Sequence, residues 1–286
     1  MIFWLNGEFK EAAHAINIAD RGFLLGDGVF ETILVVDGVA AFLSQHINRL
    51  KGALSALSMD APIDESMGTI IYQLARRNDL AAGCAAVRLT VTRGAGKRGL
   101  LFPEGDAGPT ILLTIQPYAP PPDQPPAKII IGDYRRNEVS ISSRYKTANY
   151  LDNMLARNDA AAKGCDEAIM LNSVGRLACA SAANLFVLAD EEILTPAVSE
   201  GALPGVVRGL LLAGVDRAPP VREGVIEQSA LLQNELFLTN SLMGIRAAVL
   251  DGEPHGSSAP GVVVLQLRSW YEDQLQADLT KRAGKI

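Results

Sequence analysis

Two glycine-containing segments of the chain have the composition of anion-binding loops. Arg93-Gly-Ala-Gly-Lys-Arg-Gly99 combines flexible glycines with three basic side chains, but it lacks the Gly-x4-Gly-Lys-Ser/Thr spacing of a nucleotide P-loop. Leu203-Pro-Gly-Val-Val-Arg208 puts a glycine turn directly before a predicted helix, where free N–H groups and the positive end of the helix dipole could face a phosphate. Because the first segment lacks that spacing, nucleotide binding is not favoured. The second segment, taken alone, is more often only a tight loop before a helix, but the binding of a small anion stays possible.

Lys146 is a third candidate. It lies between Ser142-Ser-Arg-Tyr145 and a helix predicted to begin near Asn149. A lysine at such a junction can be brought into a cleft between domains, although most lysines remain at the protein surface. Periodicity alone therefore assigns no chemistry to Lys146.

The elements that must position these residues mix strands and helices without strict β-α-β alternation. Hairpins are predicted around Asn6-Gly7 and Asp37-Gly38. Ser44 is predicted to cap a helix with apolar residues at helical spacing, and Gly164 to end a later helix. Further helices are predicted at 65–77, 149–163, 206–213 and 262–279, and strands at 86–92, 110–116, 128–131, 167–171, 185–188, 193–195 and 236–239. This pattern predicts an α+β fold.

A proline-rich stretch divides the chain. Tyr118-Ala-Pro-Pro-Pro-Asp-Gln-Pro-Pro-Ala127 cannot continue a helix or a central strand, so we interpret it as an interdomain linker. The alternative is a surface ligand for a proline-binding partner, which is less expected between two strand-like segments. The predicted domains are residues 1–117 and 128–286.

Composition excludes several classes of function. A net charge of −6 opposes nucleic-acid binding, and 48% hydrophobic with 20% charged residues is typical of a folded domain. The cysteines and histidines are scattered without metal-ligand spacing; they are Cys84, Cys165, Cys179, His14, His46 and His255. We therefore expect no metal site. The start of the chain lacks a basic signal region and no window is long enough to cross a bilayer, so a cytoplasmic protein without membrane contact is expected.

Six ordered segments together resemble the class IV aminotransferase family. These are Ala19-Asp-Arg-Gly-Phe-Leu-Leu-Gly-Asp-Gly-Val-Phe-Glu-Thr32, His46-Ile-Asn-Arg-Leu50, Lys146-Thr-Ala-Asn-Tyr150, Ser181-Ala-Ala-Asn-Leu-Phe186, Leu203-Pro-Gly-Val-Val-Arg208 and Phe237-Leu-Thr-Asn-Ser241. The family comprises the fold type IV pyridoxal phosphate enzymes, among them branched-chain and D-amino acid aminotransferases and aminodeoxychorismate lyases. The resemblance runs nearly end to end. It implies a small N-terminal α/β domain, a larger C-terminal pseudo-barrel domain and pyridoxal 5′-phosphate as cofactor.

The resemblance also implies roles for individual residues. Lys146 matches the lysine that forms a Schiff base with the cofactor and moves the proton between Cα of the substrate and C4′ of the cofactor, tasks that need a neutral amine. Arg49 matches the arginine on the cofactor phosphate. The other implied cofactor contacts are the backbone amides of Val206 and Val207, the Ser241 hydroxyl, Tyr150 on the phenolic oxygen, and Ser181 and Asn184 in their shared segment. The family often has threonine where Val207 stands, so one phosphate hydrogen bond is expected to be missing.

Cys179 departs from the family pattern. Family members usually carry glutamate there, and its carboxylate keeps the pyridine nitrogen of the cofactor protonated. A neutral thiol is a weak acceptor and cannot do this comparably. Three interpretations remain: a less electrophilic cofactor suited to undemanding chemistry, which we rank first; a Cys179 thiolate; or a cofactor-binding relative without transaminase activity.

The resemblance leaves the reaction open between two activities. Arg98 stands where some D-amino acid aminotransferases bind the substrate carboxylate, but the accompanying histidine is replaced by Leu100. Phe30, expected at the substrate, and Tyr150 suit aminotransferases. The 93–99, 182–186 and 239–245 segments are closer to aminodeoxychorismate lyases, which release pyruvate and leave 4-aminobenzoate. We therefore expect an aminotransferase acting on an amino acid or related amine, with a lyase acting on an amino-chorismate as the alternative. The resemblance also implies a homodimer.

Overall fold

A computed structural model describes residues 1–11, 16–103, 108–120, 124–189, 191–216, 218–252 and 259–284. It has the mixed helix and sheet content expected of an α+β chain, with one six-stranded and one eight-stranded sheet among those residues. No described helix is long and apolar enough to cross a membrane, and no described group of His, Cys, Asp and Glu side chains could hold a metal ion. His14, His255 and residues 121–123 of the predicted linker lie outside the described residues.

The chain divides into two compact units. Unit 1 comprises Met1–Pro120, Lys146–Asn149 and Leu275–Ile286, and unit 2 comprises Pro121–Tyr145 and Tyr150–Gln274. The division at Pro120 falls within the predicted linker. The units differ from the predicted domains because two segments of the predicted C-terminal domain, around Lys146 and at the C-terminus, belong to unit 1.

Unit 1 is built on the six-stranded antiparallel sheet, whose order is β2-β1-β6-β5-β3-β4. Its elements are β1 (Phe3–Leu5), β2 (Glu8–Lys10), α1 (Arg21–Leu25), β3 (Gly28–Val36), β4 (Val39–Ala40), α2 (Leu43–Ala56), α3 (Met67–Arg77), β5 (Cys84–Thr92) and β6 (Thr110–Pro117). The two predicted hairpins are confirmed: β1 pairs with β2 across Asn6-Gly7, and β3 pairs with β4 across Asp37-Gly38. In each turn both residues have the positive φ that favours a two-residue hairpin.

The Lys146 segment is attached to the beginning of β3. Val29 forms a bridge with Thr147, the Phe30 N–H donates to the Lys146 carbonyl at 2.9 Å, and the Ala148 N–H donates to the Gly28 carbonyl at 2.8 Å. These backbone bonds explain why a segment so distant in sequence belongs to unit 1.

The predicted cap of α2 is wrong. Ser44 lies inside the helix, which begins at Leu43, and Phe42 occupies the N-cap position with a φ of 51°. The Phe42 N–H is bound instead by the carboxylate of Asp278 at 2.6 Å, and the Ser44 hydroxyl accepts from Arg282 at 2.8 Å. A distant carboxylate thus replaces the local serine cap, which the local sequence does not reveal.

Unit 2 is built on the eight-stranded mixed sheet, whose order is β12-β11-β10-β13-β14-β7-β8-β9. Its elements are β7 (Ala127–Arg136), α4 (Ile141–Arg144), α5 (Leu151–Ala162), β8 (Glu167–Asn172), β9 (Leu177–Ala180), β10 (Asn184–Ala189), β11 (Glu192–Pro196), a 3-10 turn (Val198–Glu200), α6 (Val206–Leu212), β12 (Val221–Gly224), α7 (Ala230–Gln233), β13 (Glu235–Asn240) and β14 (Gly244–Leu250). The terminal helix α8 (Val262–Ala283) begins in unit 2 and ends in unit 1. Strands β9, β12 and β14 and the short helices α1, α4 and α7 were not predicted, because each is too short or too irregular for periodicity to show.

Candidate active site

The Lys146 side chain is fixed beside β3 in unit 1. Its Nζ lies 4.3 Å from the centre of the Phe30 ring, and the guanidinium carbon of Arg88 lies 3.7 Å from the same ring centre. Cations at these distances are attracted to an aromatic face. Phe30 is buried on β3, so one strand positions both the backbone and the amino group of Lys146. The structure therefore brings together the predicted catalytic lysine and the predicted substrate residue Phe30.

The next residue of β3, Glu31, forms a buried ion pair with Arg49. Arg49 Nε donates to Glu31 Oε1 at 2.8 Å, and Arg49 Nη2 donates to Oε2. His46 lies three residues before Arg49 on α2, hence on the same helix face, and its Nδ1 lies 2.7 Å from Glu31 Oε2. A carboxylate only accepts hydrogen bonds, so Nδ1 carries the proton. Glu31 thus orients the predicted phosphate ligand Arg49.

The charges of this cluster are set by burial and mutual contact. Burial alone would raise the pKa of Glu31, but the charge and hydrogen bonds of Arg49, with the hydrogen bond of His46, lower it to about 2. Burial lowers the pKa of His46, its contact with Glu31 opposes this, and the charges of Arg49 and Lys146 lower it further. Glu31 is therefore ionised and His46 neutral at neutral pH. His46 Nε2 is buried without a hydrogen-bond partner among the described residues.

The basic loop 93–99 is not arranged as an anion cradle at Arg93. Arg93 donates to the Asp27 carboxylate, with Nε at 2.8 Å, and to the carbonyls of Leu57 and Ser58. Arg98, predicted to bind the substrate carboxylate, lies exposed near the end of this loop, and Leu100 lies exposed directly after it. Arg93 therefore has a structural role that its motif did not suggest.

Cys179 lies on β9 in unit 2, opposite Met170 of β8, and is fully buried. Its cluster includes Ala156 and Ala160 of α5. Burial raises the pKa of the Cys179 thiol, the charge of Arg136 opposes this, and the charge of Glu167 adds to it. The thiol is therefore neutral, which disfavours a thiolate.

Ser181 is held by a buried polar network next to Cys179. Its hydroxyl donates to the Glu167 carboxylate, which also accepts from the Ala182 N–H at 3.1 Å and pairs with Arg157 at 2.9 Å. The Ser181 carbonyl accepts from Asn153 Nδ2 at 2.7 Å. The hydroxyl and the carbonyl of Ser181 are thus both engaged within the protein, and its predicted contact with the cofactor stays a prediction.

The turn before α6 is supported by Asn184. Asn184 Nδ2 donates to the Leu203 carbonyl at 2.8 Å, and a Cβ built on Gly205 would lie only 2.0 Å from Asn184 Oδ1. A larger residue at the N-cap of α6 would therefore displace the Asn184 amide that supports the turn. Helix α6 begins at Val206, so the first amides, those of Val206 and Val207, have no acceptor in a preceding helical turn.

Two further predicted cofactor residues lie at the ends of elements of unit 2. Tyr150 is the N-cap residue of α5, and Ser241 follows β13.

Comparison with known proteins gives one consistent result. The model of the amino-transferase class IV family matches residues 28–249. The chain belongs to the class IV aminotransferase family. It is 31% identical to a Methanocaldococcus jannaschii protein provisionally named a branched-chain-amino-acid aminotransferase, over 96% of each chain. It is 29% identical to the aminodeoxychorismate lyase of Bacillus subtilis, over 99% of this chain and 98% of that one. The fold matches the Escherichia coli branched-chain aminotransferase with a TM-score of 0.87 at 21% identity, over 97% of this chain and 95% of that one.

Membership of the class IV aminotransferases identifies the chain as a pyridoxal phosphate-dependent enzyme and confirms the expected fold, enzyme class and cofactor. Each unit offers groups of the kind that such a cofactor needs. Unit 1 has an oriented lysine amine and a guanidinium held by a buried carboxylate, and unit 2 has a glycine turn that opens a helix. Thr239 Oγ1 is also buried without a hydrogen-bond partner among the described residues. The exception is Cys179, which offers no carboxylate.

Sequence reasoning missed several residues that support these predicted positions. They are Glu31, His46, Asn153, Glu167 and Arg136. Glu31 and His46 lie within segments that carry the family resemblance. The three-residue spacing of His46 and Arg49, which puts both on one helix face, is the signal that could have indicated their shared partner. The other three act through contacts between distant strands and helices, which the linear pattern does not encode.

Proposed function

We propose that this class IV enzyme is an aminotransferase that acts on an amino acid or a related amine, with Lys146 as its catalytic residue. The observation that carries the proposal is the fixation of Lys146 on β3: its carbonyl accepts from Phe30, and its Nζ lies 4.3 Å from the Phe30 ring centre. An amine held this way loses little entropy on reaching its reactive position.

In this proposal Lys146 would hold the cofactor through its amine, and its free amine would move the proton at Cα of the substrate. When bound, pyridoxal phosphate supplies an electron-accepting ring that stabilises negative charge at that carbon. Arg49 binds the cofactor phosphate, with Glu31 and His46 fixing the guanidinium. Arg98 and Phe30 are the proposed substrate-binding residues.

The remaining cofactor contacts are proposed on the resemblance and on their local support. Val206 and Val207 offer backbone amides to the phosphate. The turn before them is supported by the hydrogen bond from Asn184 Nδ2 to the Leu203 carbonyl, at 2.8 Å. Ser241 offers a hydroxyl to the phosphate, and Tyr150 a phenol to the cofactor oxygen. We propose that Ser181 and Asn184 support the cofactor site by positioning neighbouring residues. The Ser181 hydroxyl donates to Glu167, and the Asn184 amide donates to the Leu203 carbonyl.

Cys179 sets the electronic character of the proposed reaction. Because its thiol is buried and neutral, it donates no negative charge to a pyridine nitrogen. The reaction favoured is therefore one that needs only modest stabilisation of a carbanion. This is the first of the three interpretations made from the sequence.

An aminodeoxychorismate lyase is the second candidate, supported by 29% identity to the Bacillus subtilis lyase over nearly the whole chain. Both candidates can be assayed on one preparation. An aminotransferase forms more than one equivalent of keto acid from an amino donor only when an acceptor keto acid is present to take the amino group from the cofactor. A lyase releases pyruvate and an aromatic amine from aminodeoxychorismate without any acceptor. Keto acid formation without pyruvate release would support the aminotransferase, and the reverse would overturn it.

A cytoplasmic homodimer is also part of the proposal. An exposed apolar surface, the α1–loop patch, combines Phe23, Leu24 and Leu25 of α1 with Leu100, Leu101 and Phe102. Buried Arg21 fixes it: Nη1 donates to the carbonyls of Gly99 and Leu101, and Nε to Asp27 at 2.8 Å. A rigid apolar patch of this kind marks an interaction surface. We assign it to a second copy of the chain because the resemblance implies a dimer.

A further inference from the structure

Arg136 is a buried cation at the end of β7. The residue is 5% exposed. Nε donates to the Gly201 carbonyl at 3.2 Å, Nη1 to Asn153 Oδ1 at 3.0 Å, and Nη2 to the Ser143 carbonyl at 2.8 Å. All three acceptors are neutral, and no described carboxylate pairs with the guanidinium. A buried charge in this state exerts a strong field on its surroundings.

A short hydrogen-bonded path connects Arg136 to the β9 segment that carries Cys179. Asn153 accepts from Arg136 and donates to the Ser181 carbonyl at 2.7 Å, two residues after Cys179. Gly201 completes the packing, because a Cβ there would lie 2.9 Å from Arg136 Cγ and 3.5 Å from the Ala178 Cβ. Asn153 therefore links the guanidinium to the residue that follows β9, and the charge of Arg136 acts on the Cys179 thiol.

The other charges near Cys179 do not cancel this cation. Glu167 on β8 opposes Arg136 at Cys179, but its effect on the pKa of the thiol is the smaller of the two. Its carboxylate also accepts from Ser181 and the Ala182 N–H and pairs with Arg157 of α5. The other members of the packing cluster of Cys179 carry no carboxylate, ammonium or guanidinium group; they are Ala156, Ala160, Cys165, Ala168, Met170 and Ala178, with Ile130 and Tyr134 packed against them. A glutamate at position 179, usual in the family, would add a negative charge against that of Arg136, whereas cysteine leaves only the weaker opposing charge of Glu167.

We propose that Arg136 is a positioning residue that acts electrostatically, and that together with Cys179 it keeps the ring nitrogen of the bound cofactor unprotonated. The inference rests on the proposed function, since it requires that the ring nitrogen face position 179. A positive charge disfavours the addition of a proton nearby, and a neutral thiol supplies nothing to offset it. The enzyme therefore works with a ring that accepts less negative charge.

The direct test is the nitrogen-15 chemical shift of ring-labelled pyridoxal phosphate bound to the wild-type enzyme. We expect the value of an unprotonated pyridine, and we expect Cys179→Glu to move it to the protonated value. Arg136→Gln should move it part of the way, while Arg136→Lys, which keeps the charge, should leave it unchanged. A protonated nitrogen in the wild type would overturn the proposal, and this result needs no variant to fold.

A second readout uses the chain without cofactor. With Cys84 and Cys165 replaced by serine, the carbon-13 chemical shift of labelled cysteine Cβ reports the titration of Cys179 alone. Arg136→Gln should shift that titration to higher pH, and Arg136→Lys should not. An unchanged titration in Arg136→Gln would show that the guanidinium exerts no field at position 179. Failure of the proposed function would look different: the labelled cofactor would not bind, while the thiol titration would still respond to Arg136.

Discussion

Glu31 and Arg49 form a two-point ion pair between neighbouring secondary structure elements, with Arg49 Nε 2.8 Å from Glu31 Oε1 and Arg49 Nη2 on Oε2. The Glu31 side chain is 1% exposed and that of Arg49 12%. Because Arg49 is the proposed ligand of the cofactor phosphate, its orientation depends on a carboxylate that does not itself contact the phosphate in our proposal. Glu31 is therefore a positioning residue, and its contribution is separable from that of Lys146.

Replacing Glu31 should weaken both folding and cofactor binding. Glu31→Gln leaves the Arg49 guanidinium buried without its counter-charge, a change that costs about 3–5 kcal/mol of unfolding free energy. Urea unfolding of the cofactor-free chain measures this loss, and titration with pyridoxal phosphate measures the loss of affinity. Glu65→Gln is the matched control, because Glu65 pairs with Arg282 but is 58% exposed and should contribute less than about 1 kcal/mol. Equal effects of the two substitutions would contradict the positioning role.

The same ion pair predicts a specific acid dependence of stability. The Glu31 pKa falls from an ordinary 4.5 to about 2 on folding, so its stabilising contribution is fully present above pH 4.5 and is lost as pH falls toward about 2. His46 has a lowered pKa and adds a loss that begins below its ordinary value of 6.5. Unfolding free energies measured across this range should decline less steeply between pH 4.5 and 2 in Glu31→Gln than in the wild type. Parallel curves in that window would exclude Glu31 as the group responsible.

A side chain at Gly205 should disturb the turn before α6. In Gly205→Ala the new Cβ would meet Asn184 Oδ1 at 2.0 Å, so the Asn184 amide, which holds the Leu203 carbonyl, or the turn itself must move. We expect weaker cofactor binding and a stability loss of about 1–3 kcal/mol. Gly209→Ala on the same helix is the control: a Cβ there has nothing within 4 Å, and alanine should stabilise the helix by about 0.5–1 kcal/mol. Unchanged cofactor affinity in Gly205→Ala would argue against a phosphate site at this turn.

Disruption of the α1–loop patch should separate the proposed dimer. Leu101 is 88% exposed, so Leu101→Asp should not disturb the core of unit 1. Sedimentation velocity should give a dimer for the wild type and a smaller species for Leu101→Asp at equal concentration. Val174→Asp, at another exposed position that is 64% exposed, should remain dimeric. A wild-type monomer would contradict the assignment of this patch to a second copy.

The local sequence predicted what depends on short-range patterns. Both hairpins, the helix after Gly205 and the end of the helix near Gly164 follow from turn and cap chemistry within a few residues. Lys146 and Arg49 emerged only from their place among other matching segments. The cap of α2 by Asp278 and the Arg136–Asn153–Ser181 path join residues that are far apart in sequence, and no periodicity encodes such pairings.

The central claim is that Lys146 carries the cofactor. The direct measurement is reduction of the purified enzyme with borohydride, followed by proteolysis and mass spectrometry to locate the phosphopyridoxyl group. We predict a single modified peptide containing Lys146, and no modification in Lys146→Ala, together with loss of both keto acid formation and pyruvate release. A phosphopyridoxyl group on another lysine, or full activity in Lys146→Ala, would contradict the mechanism proposed for this enzyme.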